Sequence, residues 1–577
     1  MADTPSGGPG SPGKPPKEMS MEVRLLLAFI LMGLVMFLSQ YYFKGLYPTA
    51  PAKTATTEPA GAGAPSGPSG STTPQPAETP AASTAPALPA TRAEVRPNLV
   101  IDNGFYRVSF SNQGANVRAW QMKHFTGNDE KPLELANTSA PSEFPFSFQI
   151  PGNDALAHKL NWAWFSETSD PDGLGVTYLY SDGHTTARKS FHFHRNSYLS
   201  QISTEVTNDG APVNHLIEWR GGFGDLTIAN ASGAGQSIYY DLAANKLVTQ
   251  NVRSVKNGPI SASGNYSFVG LSDNYFAAVF LPQHDGLMQA TTFADTVPTP
   301  LEKQAAPFAG IALSEATGND FELFVGPKDI ELMKSINPKL EQVVYFGWMS
   351  VLAKPLFLVV NWVNDHLIHG FGWSIIVVTI AINFILFPLK LSNFKSMKKM
   401  QALKPQIDAI NAKYKNLKIT DPRKGEQNQE VMDLYKKYGV NPMGGCFPML
   451  IQIPFFIAFY EVFTVAVQMR GAHWLWVTDL SQAEHITPHI LPLIMIASQF
   501  FMQKITPQPN SDPSQQKMMQ FMPLMFGFMF YNFASGLVLY YLTSNLVQMG
   551  QQWFFNHTHL AADAANSVAP PKKKDRK

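Results

Sequence analysis

The chain has 577 residues, with 44 Lys+Arg against 43 Asp+Glu and a single cysteine, Cys446. Near-neutral charge excludes a globally nucleic-acid-binding surface, and one thiol excludes an intrachain disulfide. No GxxxxGK[ST] loop and no zinc-type Cys/His spacing occurs, so neither a nucleotide, a metal nor any other cofactor is expected, and no enzyme activity.

In chain order, residues 1–24 read as a cytoplasmic N-terminus. Leu25 to Phe43 (LLLAFILMGLVMFLSQYYF) is apolar and long enough to span a bilayer, flanked by Arg24 and Lys44. The following GLYPTAPAK is a poor cleavage site, so an uncleaved anchor is expected. Residues 44–97, rich in Pro, Ala and Thr, cannot bury enough apolar surface to offset chain entropy and read as a disordered tether.

From 98 to 340, runs such as FYRVSF (Phe105–Phe110), GVTYLY (Gly175–Tyr180) and YFAAVFL (Tyr275–Leu281) alternate with Gly, Asn, Asp and Pro clusters. This is the pattern of a large β-sandwich. FHFH at Phe191–His194 puts His192 and His194 on one strand face, but no third metal ligand is evident. A solvated face beside a buried Phe face is the reading adopted.

Residues 341–370 carry aromatics, Leu and Val interrupted by Lys354, Asn361, Asn364 and Asp365, which suits an amphipathic helix at the bilayer surface. Within a core at 371–556, five candidate spans follow at about 373–389, 444–467, 489–505, 517–533 and 535–555, six with the anchor. The loop 390–440 holds eleven Lys and one Arg against five acidic residues. The positive-inside rule makes it cytoplasmic, with both termini and the basic tail 557–577, and leaves the β domain outside. MKKMQALKPQIDAINAKYK and QNQEVMDLYKKYG read as a helical hairpin about a DPRKG turn. On its first arm, Lys395, Lys398, Lys399 and Lys404 are candidate contacts for substrate, a ribosome or anionic lipid.

Polar residues within the spans carry the functional question. Thr379, Asn383 and Lys390 (i, i+4, i+11) fall within about 40° on a helix. Gln499 and Gln503 share a face, as do Tyr540 and Ser544; Tyr541, Asn545, Gln548 and Gln552 form an adjacent stripe, and Gln452 adds to the set. Two readings stay open: interhelical hydrogen bonds, or a shared wet groove opening toward the cytoplasm. Met518, Met519, Met522, Met525 and Met529 crowd one short span, as adaptable partner surface or lipid-facing residues. Glu461, about 180° around the helix from Gln452, is expected outside the groove, near the outer end.

GVNPMGGCFPMLIQIPFF (Gly439–Phe456), DPSQQKMMQFMPLMF (Asp512–Phe526) and SGLVLYYLTSNLVQ (Ser535–Gln548) resemble the YidC membrane protein insertase family, and YFAAVFLPQHDG (Tyr275–Gly286) and FVGPKD (Phe324–Asp329) resemble its periplasmic domain. The resemblance covers nearly the whole chain from residue 98. It implies a six-helix membrane protein with a conserved five-helix core and a periplasmic β supersandwich. It also implies insertion and folding of nascent inner-membrane proteins through a groove, alone or with the Sec translocon, without nucleotide. The family's groove arginine lies five positions before the proline of the second span; here that position is Asn383, before Pro388. Lys390 on the same face is expected to supply part of the missing charge by reaching up the groove. A secondary transporter and a membrane-anchored carbohydrate-binding protein are the competing classes, although internal repeats are not found.

Overall fold

The structure is a computed structural model and describes residues 89–90, 93–137, 144–228, 231–284, 287–298, 305–316, 318–415, 421, 423–440, 447–505 and 513–567, with only backbone described at 232, 424, 447–450, 513–520 and 522. The expected anchor, most of the tether and the KKKDRK end of the tail lie outside the described residues.

Alternation builds the β region. Thr185–Phe193 buries every second side chain, the period of a strand with one face on a core. Phe191 and Phe193 point inward, while His192 Nδ1 lies 3.1 Å from Asp170 Oδ2 on the other face. The strand belongs to a ten-stranded antiparallel sheet, accompanied by a five-stranded and a four-stranded sheet. All three share one core of aromatic and aliphatic side chains, centred on Trp120, Phe146, Trp219 and Phe280.

The ten-stranded sheet is covered on both faces. Along Phe276–Pro282, Phe276, Ala278 and Phe280 enter the sandwich core. Ala277, Val279 and Leu281 enter a second core that continues through Leu340, Val343, Phe357 and Val360 into the helices. Six consecutive buried residues are what a strand without a solvent face requires.

Besides a single turn at Ala231–Ala234, the helices are α1 (Asp154–Trp162), α2 (Ile330–Ile336), α3 (Ser350–His366), α4 (Phe371–Ile385), α5 (Phe387–Lys413), α6 (Arg423–Lys437), α7 (Phe447–Val465), α8 (Ile490–Ile505), α9 (Pro513–Phe530), α10 (Ser535–His557) and α11 (His559–Asn566). Asp329 starts α2 by accepting from Leu332 N at 2.9 Å, the usual cap for an otherwise orphaned N–H. The segment expected as a surface helix forms α3, with Val351, Leu358, Val359 and Trp362 exposed and Leu356, Phe357 and Val360 buried.

α5 and α6 pack through Met397, Met400, Leu403, Ile407 and Tyr435, which accounts for the Met and Leu stripe of the expected hairpin. Of the DPRKG stretch, Arg423 to Gly425 belong to α6, and Asp421 Oδ1 accepts from Arg423 N at 3.0 Å at the helix start.

Among the described residues no single helix is long and apolar enough to cross a membrane. The pair α4–α5 passes that test together but is bent by 60°, and Ile451–Val465 and Ile490–Ile505 are shorter apolar helices. In α10 the residues that lower its hydropathy are buried ones, Ser544, Asn545, Gln548, Gln551 and Gln552, whereas Leu546, Trp553 and Phe554 are exposed.

The C-terminal end of α7 is locked into the β region. Val467 joins the sandwich core. Arg470 forms a buried ion pair with Asp225 and donates through Nη2 to the Thr126 carbonyl at 3.1 Å. Gln468 Nε2 donates to Asp329 Oδ2 at 2.7 Å, and the Tyr275 hydroxyl to the Phe463 carbonyl at 3.3 Å.

Candidate functional site

Four helices bring polar side chains to one place. α4 places Thr379 and Asn383 a turn apart; α5, after the bend, returns Lys390; α7 adds Gln452, and α10 adds Tyr540, Ser544, Gln548 and Gln551. A narrow cleft is lined by Asn383, Lys390, Gln452, Tyr540 and Ser544 on its polar side, and by Ile382, Leu386, Ile451 and Phe455 on its apolar side.

Asn383 is the hub. Its Nδ2 donates to the Thr379 carbonyl at 2.8 Å and to Ser544 Oγ at 3.3 Å. Its Oδ1 accepts from Lys390 Nζ at 2.6 Å. Gln452 Nε2 lies 3.4 Å from Ser544 Oγ, and Gln548 Nε2 donates to both Gln452 Oε1 and Ser544 Oγ at 3.1 Å. The amide of Asn383 therefore stands where a strong donor and a strong acceptor are both available. Lys390 is 5 % exposed; among the described residues no carboxylate comes within ion-pair distance of it. A buried ammonium without an anion is costly, so the cleft presents unspent attraction for a negative group.

The sequence-predicted residues divide. Thr379, Asn383, Lys390, Gln452, Tyr540 and Ser544 converge on the cleft. Asn545 instead turns to α8, its Nδ2 donating to Ser498 Oγ at 3.1 Å, and Gln499 meets the Tyr541 hydroxyl on that same side of α10. Gln503, a turn further along α8, is half-buried and does not line the cleft. Lys395, Lys398, Lys399 and Lys404 are half-buried along α5 beyond the cleft. Glu461 is outside it, as its position on the helix predicts, and its carboxylate sits against Gly347. There φ is +66°, a conformation that favours glycine, and a Cβ would push the Glu461 carboxylate aside.

Of the two readings left open, the described walls carry hydrogen bonds between helices, and Thr379, Asn383 and Ser544 are 0 %, 3 % and 2 % exposed. The reason is the number of complementary amides and hydroxyls, which satisfy one another across the cleft. Two hydrogen-bonding residues around the site were missed in the sequence, Ser498, which receives Asn545 on the α8 side, and Gln551, which reaches the Asn383 carbonyl. Gln551 had a readable signal, because Tyr540, Ser544 and Gln551 repeat the i, i+4, i+11 spacing of Thr379, Asn383 and Lys390.

Fold and site define a class, a helical unit with a polar interior cleft joined to a large β-sandwich. Comparison with known proteins makes it specific. The family model described as 60Kd inner membrane protein matches residues 362–562, and that of the YidC periplasmic domain matches residues 98–359. The chain belongs to the YidC family of membrane protein insertases.

Curated relatives named "Membrane protein insertase YidC" include those of Syntrophus aciditrophicus (30 % identical, covering 93 % of this chain and 99 % of that one), Cupriavidus metallidurans (33 %, 88 % and 91 %) and Ralstonia nicotianae (31 %, 82 % and 87 %). Among solved structures, a crystal structure of an active YidC insertase with its first transmembrane domain resolved is similar at 19 % identity and a TM-score of 0.37, covering 82 % of this chain and 95 % of that one. The transporter and carbohydrate-binding classes give way to this family.

Proposed function

We propose that the protein is a membrane protein insertase in which Lys390, held on Asn383, supplies the charge that receives a polar or acidic stretch of a nascent inner-membrane protein. The single observation that carries this is the buried Lys390 ammonium, 2.6 Å from Asn383 Oδ1 with no carboxylate beside it among the described residues. An entering segment exchanges its hydrogen bonds with water for bonds to Asn383, Ser544, Gln452 and Gln548, so dehydration is compensated bond for bond. Its apolar helix then partitions into lipid along α7 and α9, and hydrophobic transfer drives the step without nucleotide.

The inside-out character of the helices supports a lipid setting: α10 buries amides and exposes Leu546, Trp553 and Phe554, and α9 exposes Phe521, Leu524, Met525 and Phe528. In this reading the chain has six spans, counting the anchor at 25–43. Both termini and the 390–440 hairpin are cytoplasmic, residues 98–340 are periplasmic and α3 lies in the outer interface. Lys395, Lys398, Lys399 and Lys404 then face the ribosome, the substrate or anionic lipid, and the insertase works alone or beside the Sec translocon.

The test is insertion of a single-span substrate with an acidic tail into proteoliposomes. Lys390→Ala is expected to lower it about tenfold, the scale of a lost charge-assisted hydrogen bond, with Lys390→Arg retaining most activity and Asn383→Ala intermediate. Undiminished insertion in Lys390→Ala rejects the role assigned to the charge.

A further inference from the structure

The break between α4 and α5 leaves a backbone acceptor in the middle of the site. Pro388 has no N–H for the carbonyl of Phe384, and its ring opposes a straight helix. The two helices diverge by 60° around Leu386. In an unbroken helix the Asn383 carbonyl accepts from residue 387; here it accepts from Gln551 Nε2 of α10 at 3.0 Å. Gln551 is 6 % exposed and lies two turns along α10 from Ser544. Asn383 is thus tied to α10 twice, by its side chain through Ser544 and by its backbone through Gln551, while its Oδ1 receives Lys390 from beyond the break.

We propose that Gln551 is a positioning residue: its amide holds the carbonyl beside the break, fixes the bend, and so keeps the Lys390 ammonium at the depth of Asn383. Away from water a freed carbonyl has few donors to turn to, and a side-chain amide from the neighbouring helix is the available one. Without it the α4–α5 angle is free to relax and Lys390 to withdraw. The inference rests on the insertase reading of the cleft and adds what holds the charge there.

The test uses the full chain with Gln551→Met, of similar length but without a donor, and Gln551→Leu, shorter and likewise without a donor. Spin labels at the exposed positions 381 and 401, in a Cys446→Ser background, report the α4–α5 angle. Two single-span substrates, one with an acidic tail and one neutral, report insertion in proteoliposomes. Both variants are expected to broaden the label distance and to lower the preference for the acidic over the neutral substrate about fivefold, the size of one lost hydrogen bond, with neutral insertion preserved.

A folded variant with the parent's distance distribution and the parent's preference overturns the proposal. Equal loss with both substrates overturns it too, because that is what general destabilisation produces. If the Met variant does not fold, the Leu variant carries the same measurement. Should the unmodified protein insert neither substrate, the insertase reading itself fails and this proposal falls with it; if the unmodified protein inserts both, a negative result counts against Gln551 alone.

Discussion

At the scale of single residues, what a polar side chain does depends on what burial leaves it. Glu134 accepts from the backbone N–H groups of Trp120 and Ala136, yet burial outweighs those bonds and pushes its carboxyl from 4.5 up to about 7. A carboxyl raised in the folded state stays protonated there while the unfolded chain ionises. Stability is therefore expected to fall as pH rises from about 4.5 to about 7 and to level off above, by up to about 3 kcal/mol. Thermal unfolding of detergent-solubilised protein at pH 5 and pH 8 checks this, and Glu134→Gln should flatten the difference. Asn383 was legible as a buried amide because an apolar run surrounds it. Which way its two ends point was not, since Lys390, Ser544 and Gln551 reach it across a bend and from a helix about 160 residues away.

At the scale of elements, periodicity was a good guide wherever one face meets one neighbour. The hairpin follows from its Met and Leu stripe, and Leu403, fully buried between α5 and α6, is its sharpest probe. Leu403→Ala is expected to cost about 2–5 kcal/mol of hairpin packing. Limited proteolysis should then cut the two arms faster, with the β region cleaved at the parent rate. Within DPRKG, Arg423 to Gly425 are helical, because Asp followed by Pro signals a helix start as readily as a turn and the Asp421 cap favours the helix. The span expected at 373–389 similarly hid a 60° break. Pro388 announces a kink but not its size, which depends on what Gln551 and Lys390 bind on the far side.

At the scale of the whole molecule, the β region and the helices are one packed body rather than beads on a string. The ten-stranded sheet gives its second face to the helices, and Arg470 reaches between Asp225, the Thr126 carbonyl and the Tyr275 ring, 5.4 Å away. Removing one member of a buried ion pair strands the other, so Arg470→Ala is expected to cost about 3–5 kcal/mol. The measurable outcome is a β region that unfolds in a separate, earlier transition and a broadened spin-label distance between the two regions. Exchanging the pair, Asp225→Arg with Arg470→Asp, should recover part of the loss.

The sequence by itself determined what composition and local period control: a strand-rich region, apolar helices carrying polar stripes, a basic hairpin, and motifs specific enough to name a family. Only the tertiary structure decided which stripes meet, that Asn545 turns to α8 while Gln551 reaches the Asn383 carbonyl, that the cleft's walls satisfy one another, and that the end of α7 is gripped by a sheet. The physical reason is that period and propensity act within a few residues along the chain, whereas hydrogen-bond partners are chosen among all groups that burial brings together.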